Sequence, residues 1–414
     1  MFKYIPIFYK ALFQAAWFIH IHYPAAIADF IVPLGISYYT LQCLCYIIEV
    51  HRGSILPEKH LGIFILYMMF FPKFAAGPIE RPGFIAQFHE RHDPDYEAIT
   101  GGIKIFAWGL FKKTVIADRV AIVVNEVYGR PGHYHGIYFL LATFFFAVQL
   151  YSDFSGYTDM ARGSARIFGF RLMENFKLPY GAGSIAEFWR RWHISLSTWF
   201  RDYLYIPLGG NRVPRVRHSV NIMTTFLASG LWHGANGTFV AWGALHGAFV
   251  VTGLWTDPLR ERLAGIAGLK RLPQCRKALR VIATGTLVLF AWVLFRSGTL
   301  SEAINIYSSI FSGLADIITS VAAADTARLK SITDIARGNQ ILGFSRETYR
   351  PEMVITVFSI LALWLFNTLH KHGDVWEILS RKSRFVRWSF YFFIAAGILF
   401  FGMFTKDQFI YFRF

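Results

Sequence analysis

The run IYFLLATFFFAVQLYSD, residues 137–153, decides the fold class, because its only charged residue stands at its end. A helix needs about 20 predominantly apolar residues to cross the hydrocarbon core of a bilayer. Residues 1–23 either form such a helix or lie in the interface. Comparable runs recur at residues 31–50, 61–76, 101–120, 220–231, 238–254, 281–295, 354–369 and 388–404. The pattern predicts an all-α, polytopic transmembrane protein with about 9–11 membrane helices.

Several of these runs are short or are interrupted by glycine, proline and polar residues. Irregular backbone is tolerated at membrane depth only where it is buried in protein or lines a cavity. We therefore expect a packed bundle around a central tunnel, with additional helices lying in the interface. No internal repeat divides the chain, so the sequence predicts a single membrane domain over residues 1–414.

The composition also favours a lipid environment. Charged residues make up 16% of the chain, whereas soluble domains carry about 25%. The 42 lysines and arginines exceed the 26 aspartates and glutamates, which gives a net charge of +16. These cations lie in short loops between apolar runs, which is typical of loops facing an anionic leaflet. No nucleic-acid-binding module is visible, and we expect no nucleic-acid partner.

Two short loops are strongly basic, at residues 260–280 and 371–387. Short basic loops favour the cytoplasmic side of a membrane. Both loops can be cytoplasmic if residues 281–295 and 354–369 form an out-and-back pair of helices. Residues 296–351 are then predicted to form an extramembrane connector on the opposite side.

Residues 187–205, EFWRRWHISLSTWFRDYLY, mix aromatic side chains with Arg190, Arg191 and Arg201. Such a composition predicts an amphipathic helix at the interface, where tryptophan anchors and arginine reaches toward the headgroups. If this segment faces the cytoplasm, the three arginines are candidates to bind the phosphates of a substrate.

Three ionisable residues stand out at membrane depth, where such residues are costly and often functional. They are His233 in SGLWHGAN, His246 in ALHGAF and Asp153 in YSDFSGYTD. A neutral histidine in a dry site can accept a proton from a hydroxyl group. For His246 a structural role is the favoured interpretation. Asp153 either pairs with a cation such as Arg162 or holds a helix junction, and it is also a candidate for substrate binding.

Metal chemistry is not expected from this sequence. The pairs His89/His92, His133/His135 and His370/His372 lie in loops and have no third good ligand near them in sequence. No metal-binding motif, phosphate-binding loop or serine nucleophile motif occurs. The sequence therefore predicts neither a bound metal nor a bound cofactor.

Several motifs together resemble one family. FWRRWHISLSTWFRDYLYIPLGGNR (188–212) is similar to the signature of the alginate O-acetyltransferase branch of the membrane-bound O-acyltransferases, and ASGLWHGANGTFVAWGALHG (228–247) to the segment with their catalytic histidine. FFPKFAAGPIERP (70–82), GLFKKTVIADR (109–119), residues 151–180 and the terminal FIYFRF also resemble this family. The resemblance begins near Ile31. Family members usually have additional N-terminal membrane helices, so the chain is expected to begin late relative to them.

The resemblance implies a helical tunnel with His233 as the catalytic histidine and His193 as a second, supporting histidine. Residues 187–247 become the expected catalytic core segment, and Asn236 joins Asp153 and the three arginines as a candidate for substrate binding. The implied activity is transfer of an acyl group, expected to be acetyl, from acetyl-CoA or another cytoplasmic thioester. The implied destination is an exported or cell-surface polysaccharide, reached through a periplasmic acetyltransferase or similar partner.

Other interpretations remain at this stage. A multi-pass protein of the bacterial inner membrane with broken helices could be a polysaccharide transporter or flippase, or a scaffold without chemistry. The sequence leaves the acceptor open among alginate, cellulose, another exopolysaccharide and peptidoglycan. The match at residues 188–212 disfavours D-alanyl transfer to teichoic acid.

Overall fold

A computed structural model describes residues 35–323, 325, 346–370, 375–404 and 409, and residues 346–351 only in their backbone. Regular structure in these ranges is entirely helical, which confirms the predicted all-α class. The expected helix at residues 1–23 and most of the terminal FIYFRF motif lie outside the described residues. The α-helices are α1 Ile36–His51, α2 Leu61–Met69, α3 Tyr96–Phe111, α4 Asp118–Gly129, α5 Ile137–Ile167, α6 Ile185–Arg191, α7 Ile194–Phe200, α8 Arg215–His233, α9 Gly237–Ile266, α10 Pro273–Arg296, α11 Leu300–Ala322, α12 Arg346–His370, α13 Val375–Ser380 and α14 Arg384–Phe401.

Two π-helical segments interrupt this pattern, at Lys112–Ala117 between α3 and α4 and at Arg201–Tyr205 after α7. The π-helix is rare and is frequently found at functional sites. Both segments lie in stretches that resemble family motifs. The first divides the apolar run at residues 101–120, and the second ends the amphipathic stretch at residues 187–205.

Helices α3 and α5 cross in close contact. Two pairs of glycines face each other there, Gly102 with Gly163 and Gly109 with Gly156. A Cβ atom added to Gly109 would lie 2.6 Å from the backbone oxygen of Gly156, and one added to Gly102 would lie 2.6 Å from the backbone oxygen of Gly163. The absence of side chains lets the two backbones touch, as is common where helices pack in membranes.

A second close contact joins α8 and α9, which are consecutive in the chain. A Cβ atom on Gly230 would lie 2.4 Å from the backbone oxygen of Phe239, and one on Gly243 would lie 2.4 Å from that of Phe226. The two helices are therefore tightly packed as a hairpin. The short turn between them contains Gly234 and Asn236, so it holds the predicted catalytic segment in place.

Six helices are long and apolar enough to cross a membrane, among the residues that the structure describes. They are α5, α9, α10, α11, α14 and the part of α12 from Glu352 to His370. The 31-residue α5 extends well beyond the predicted run at residues 137–153 and is largely buried, with 72% of its apolar window inside the structure. Shorter helices, α1, α2, α3 and α8, correspond to the apolar runs at residues 31–50, 61–76, 101–120 and 220–231.

The stretch predicted as an extramembrane connector begins with α11. This 23-residue helix has the length and composition of a membrane span. The structure contains no membrane, so the location of residues 296–351 outside the bilayer stays a prediction, as does the division of the chain into a single domain.

Candidate functional site

His233 is the last residue of α8, and the chain turns directly after it. Gly234 has an extended backbone, and Asn236 caps the start of α9 by accepting a hydrogen bond from the Thr238 amide at 3.4 Å. A Cβ atom at Gly234 would lie 2.4 Å from the ring of Phe239, so a side chain there would displace that ring. The glycine therefore permits the tight turn that presents His233 at the helix end.

Aromatic side chains enclose the His233 ring on several sides. The ring centroid lies 4.9 Å from that of Trp232, 5.0 Å from Trp242 and 5.3 Å from Phe295, each in an edge-to-face arrangement. Only 3% of His233 is exposed. Apolar aromatic rings therefore shield the His233 imidazole from water.

His193 occupies the junction between α6 and α7, outside the six candidate spans. Its backbone φ of 43° is positive, which among the described non-glycine residues is shared only by Leu178. Such a conformation is strained for a residue with a side chain. The ring is buried against Phe154, at a centroid distance of 4.6 Å. Burial lowers the pKa of the His193 imidazole to about 3, so the ring is neutral at physiological pH.

Trp232 connects the two histidines. Its ring centroid lies 4.9 Å from His233 and 6.1 Å from His193, and its indole N–H donates to the Ser37 backbone oxygen at 3.2 Å. Tyr38 in the same turn of α1 also contacts both the Trp232 and His193 rings. The structure thus brings the two predicted histidines into one aromatic cluster, with α1 holding the tryptophan between them.

Asp153 is buried in α5 and forms an ion pair with Lys113, at 2.9 Å between Oδ1 and Nζ. Lys113 also pairs with Asp118, at 2.7 Å. The expected pairing of Asp153 with a cation is confirmed, but the cation is Lys113; Arg162, named as an example, pairs with Asp159 and Glu174. The lysine lies nearer because the π-helical segment after α3 packs against α5. A role of Asp153 in substrate binding stays a prediction.

The three arginines of the amphipathic stretch differ in their surroundings. Arg191 pairs with Glu187 at 2.5 Å, and Arg201 pairs with the adjacent Asp202 at 2.7 Å. Arg190 is exposed. Asn236 donates to the Gly298 backbone oxygen at 2.5 Å, in addition to capping α9. Substrate contacts by these four residues stay predictions, and for Arg191 and Asn236 the observed contacts are with the protein itself.

His246 lies in the middle of α9 and is completely buried. Its Nδ1 accepts a hydrogen bond from the indole N–H of Trp189 at 3.2 Å, and its ring contacts Trp242 at a centroid distance of 5.0 Å. These contacts fit the structural role favoured from the sequence. They also link α6, which carries Trp189, to the hairpin of α8 and α9.

Sequence reasoning missed Lys112 and Lys113 and the tryptophans around His233. Lys112 is buried and bonds Asp159 at 2.8 Å and Ser155 at 2.9 Å. The signal was available, because both lysines interrupt an apolar run within GLFKKTVIADR, and charges at membrane depth call for a partner. Within the described ranges there is no cluster of three histidine, cysteine or acidic residues able to hold a metal.

Helices of membrane-spanning length, packed around a buried histidine at a helix end, define a polytopic α-helical membrane protein with an enclosed imidazole site. The chain belongs to the MBOAT, membrane-bound O-acyltransferase, family, whose model matches residues 60–280. That match contains His193, His233 and His246, together with Lys113 and Asp153. Family membership confirms the resemblance and the multi-pass membrane character inferred from the sequence.

Individual relatives carry transferase names. The chain is 41% identical over 291 residues to the probable alginate O-acetylase AlgI of Pseudomonas aeruginosa, covering 70% of the chain and 53% of that protein. It is 35% identical over 303 residues to the peptidoglycan O-acetyltransferase of Helicobacter pylori, covering 67% of the chain and 56% of that protein. It is 31% identical over 295 residues to the teichoic acid D-alanyltransferase of Streptococcus thermophilus, covering 65% of the chain and 69% of that protein. The chain spans about half the length of the alginate relatives that it matches.

Proposed function

We propose that this chain contains the catalytic core of a membrane-bound O-acetyltransferase that acts on a polysaccharide. The observation that carries the proposal is the buried His233, held at the end of α8 among Trp232, Trp242 and Phe295. The family and the names of the relatives support this activity and do not favour the transporter or flippase alternative. The bacterial inner membrane is the proposed location.

The reaction assigned to this site is acyl transfer from a thioester to a hydroxyl group. His233 removes the hydroxyl proton while the oxygen attacks the thioester carbonyl carbon, forming the new C–O bond. The C–S bond then breaks, and the departing thiolate takes the proton from the imidazolium. A positioned base of this kind contributes roughly 10²–10⁴ in rate.

Acetyl-CoA is the proposed donor and the cytoplasm its proposed source. Arg190 and Arg201 are exposed on the stretch that leads into the site, and cations of this type bind phosphate groups well. The proposed acceptor is alginate or another exported polysaccharide, reached through a periplasmic partner. This proposal is supported by relatives that are named a probable alginate O-acetylase and a peptidoglycan O-acetyltransferase.

The test is replacement of His233 by alanine in the full chain. We expect His233→Ala to reduce acetyl transfer from radiolabelled acetyl-CoA by at least about 10²-fold, because the base is lost. Amount and membrane insertion of the protein should not change. His218→Ala is the matched control, since His218 lies in the same helix but bonds Tyr205 at 2.7 Å, away from the aromatic enclosure. Normal transfer by His233→Ala would disprove the proposed mechanism.

A further inference from the structure

Three buried hydrogen-bond donors form a group beside His233. They are the indole N–H groups of Trp242 and Trp292 and the Nε2 atom of His246. Each residue is at most 1% exposed, and no group of the described residues accepts a hydrogen bond from these three atoms. Buried donors without an acceptor are rare in folded proteins and call for an explanation.

The three rings are mutual neighbours. The Trp242 centroid lies 5.0 Å from that of His246 and 6.0 Å from that of Trp292, and the His246 and Trp292 centroids are 6.3 Å apart. Trp242 also contacts His233 directly, at 5.0 Å. Trp292 contacts Phe295, which itself packs against His233. The donors therefore belong to the same aromatic enclosure as the proposed base.

Trp189 determines which nitrogen of His246 carries the proton. Because the Trp189 indole donates to Nδ1, that nitrogen is an acceptor, and the proton of the neutral imidazole lies on Nε2. His246 thus presents a donor, like the two tryptophans. A group of three neutral donors matches an oxygen atom that only accepts hydrogen bonds.

We infer that Trp242, Trp292 and His246 bind the carbonyl oxygen of the acyl donor and stabilise the negative charge that develops on it. The inference rests on the proposed acyl transfer. When the acceptor oxygen attacks the carbonyl carbon, the C=O electron pair moves to this oxygen, and His233 holds the acceptor's proton. When the C=O bond re-forms, the C–S bond breaks and the thiolate leaves with that proton. Fixed donors in a dry site are a strong source of such stabilisation.

The N–H groups can be tested without changing the size of the side chains. Benzothienylalanine, introduced by an expanded genetic code, replaces the indole N–H of tryptophan by sulfur. Installed at Trp242 or Trp292, it should lower kcat for acetyl transfer by roughly 10-fold to 100-fold with little change in KM, because the oxyanion is stabilised mainly in the transition state. The thermal midpoint of the substrate-free protein should stay the same or rise, since a donor without a partner is removed.

Trp199 is the matched control. It is also a buried tryptophan, but its N–H donates to the Leu41 backbone oxygen at 2.9 Å. The same replacement at Trp199 should lower the thermal midpoint and leave kcat unchanged. A lower midpoint for the substrate-free Trp242 and Trp292 variants, as for Trp199, would show that these donors bond a protein group and would overturn the inference.

A binding experiment gives a readout that does not depend on turnover. S-(2-oxopropyl)-coenzyme A retains the carbonyl but has no thioester to cleave, and S-propyl-coenzyme A lacks the carbonyl. We expect the wild-type protein to bind the ketone about fivefold more tightly, which corresponds to one hydrogen bond. Each of the Trp242 and Trp292 variants should show a smaller preference for the ketone than the wild-type protein, because one of the three proposed donors is lost.

The outcomes separate the inference from the proposed function. If His233→Ala is inactive while the benzothienylalanine variants keep their kcat and their preference for the ketone, only the carbonyl site is refuted. If His233→Ala keeps full transfer, the proposed function itself fails.

Discussion

At the scale of single residues, the neighbours of a buried side chain decide what it can do. His233 and His246 lie 13 positions apart in one motif and are both buried. Their neighbours distinguish them, because His246 accepts from Trp189 whereas His233 stands at the helix end among aromatic rings. The same principle applies to Asp153, which the structure holds in an ion pair with Lys113.

Lys113 forms ion pairs with two buried carboxylates, those of Asp118 and Asp153. Lys113→Met removes the cation that pairs with the buried carboxylates of Asp153 and Asp118. We expect a loss of about 3–5 kcal/mol in unfolding free energy, as for other broken buried pairs. Unfolding of the detergent-solubilised protein, followed by tryptophan fluorescence, measures this change.

Arg130→Met is the control for this experiment, because the Arg130 side chain is 66% exposed and pairs with Glu126 on the surface of α4. We expect a change below about 1 kcal/mol for this exposed pair. If Lys113→Met and Arg130→Met lower the unfolding free energy equally, the importance assigned to the buried pairs is contradicted. The triple variant Lys113→Met, Asp118→Asn, Asp153→Asn should recover part of the loss, since the two carboxylates that lost the Lys113 cation are then neutral amides.

At the scale of helices, glycines determine how closely α3 and α5 approach. The two glycine pairs match at a spacing of seven residues on each helix, from Gly102 to Gly109 and from Gly156 to Gly163. Backbone contact on this scale leaves no room for a methyl group. The position of α5 in turn places Phe154 against His193 and Asp153 against Lys113.

Gly109→Ala tests this packing. The added methyl group would lie 2.6 Å from a backbone oxygen, so the helices must separate, and we expect about 1–3 kcal/mol of destabilisation. Gly285→Ala in α10 is the matched control, because nothing lies within 4 Å of its added Cβ. Alanine favours helix over glycine by about 0.5–1 kcal/mol, so the control should be neutral or stabilising in the same unfolding assay. A destabilised control with a stable Gly109→Ala would contradict the packing argument.

At the scale of the whole molecule, the basic loops predict which side of the membrane each end of α10 faces. Cys275 is exposed at the start of α10, within the basic loop at residues 260–280. Ser301 is exposed in the first turn of α11, beyond the far end of α10. If α10 crosses the bilayer and the basic loop is cytoplasmic, these two positions lie on opposite sides.

A membrane-impermeant maleimide tests this orientation in intact cells. We expect Cys275 to react only after the cells are permeabilised, and Cys275→Ser to remove that labelling. In the Cys275→Ser background, Ser301→Cys should react in intact cells. Labelling of both positions from the same side would show that α10 does not cross the membrane.

The sequence alone determined the class of the molecule and pointed to His233 as the candidate catalytic residue. Apolar runs of membrane length predict helices, because within lipid a single segment can pair its backbone N–H and C=O groups internally only as a helix. The motif at residues 228–247 singled out His233, because a contiguous motif can be identified from the sequence without knowledge of the fold. The ends of the helices were predicted less well. The apolar run at residues 137–153 is only the first part of the 31-residue α5, because the helix continues through polar residues that are buried in the fold.

Only the tertiary structure decided which distant residues meet. Lys113 rather than Arg162 pairs with Asp153, because the π-helical segment after α3 packs against α5. Trp292 in α10 meets Trp242 and His246 in α9 because these two helices pack against each other. Contacts between helices depend on how their surfaces pack in three dimensions, and a single amino-acid sequence does not show directly which surfaces meet.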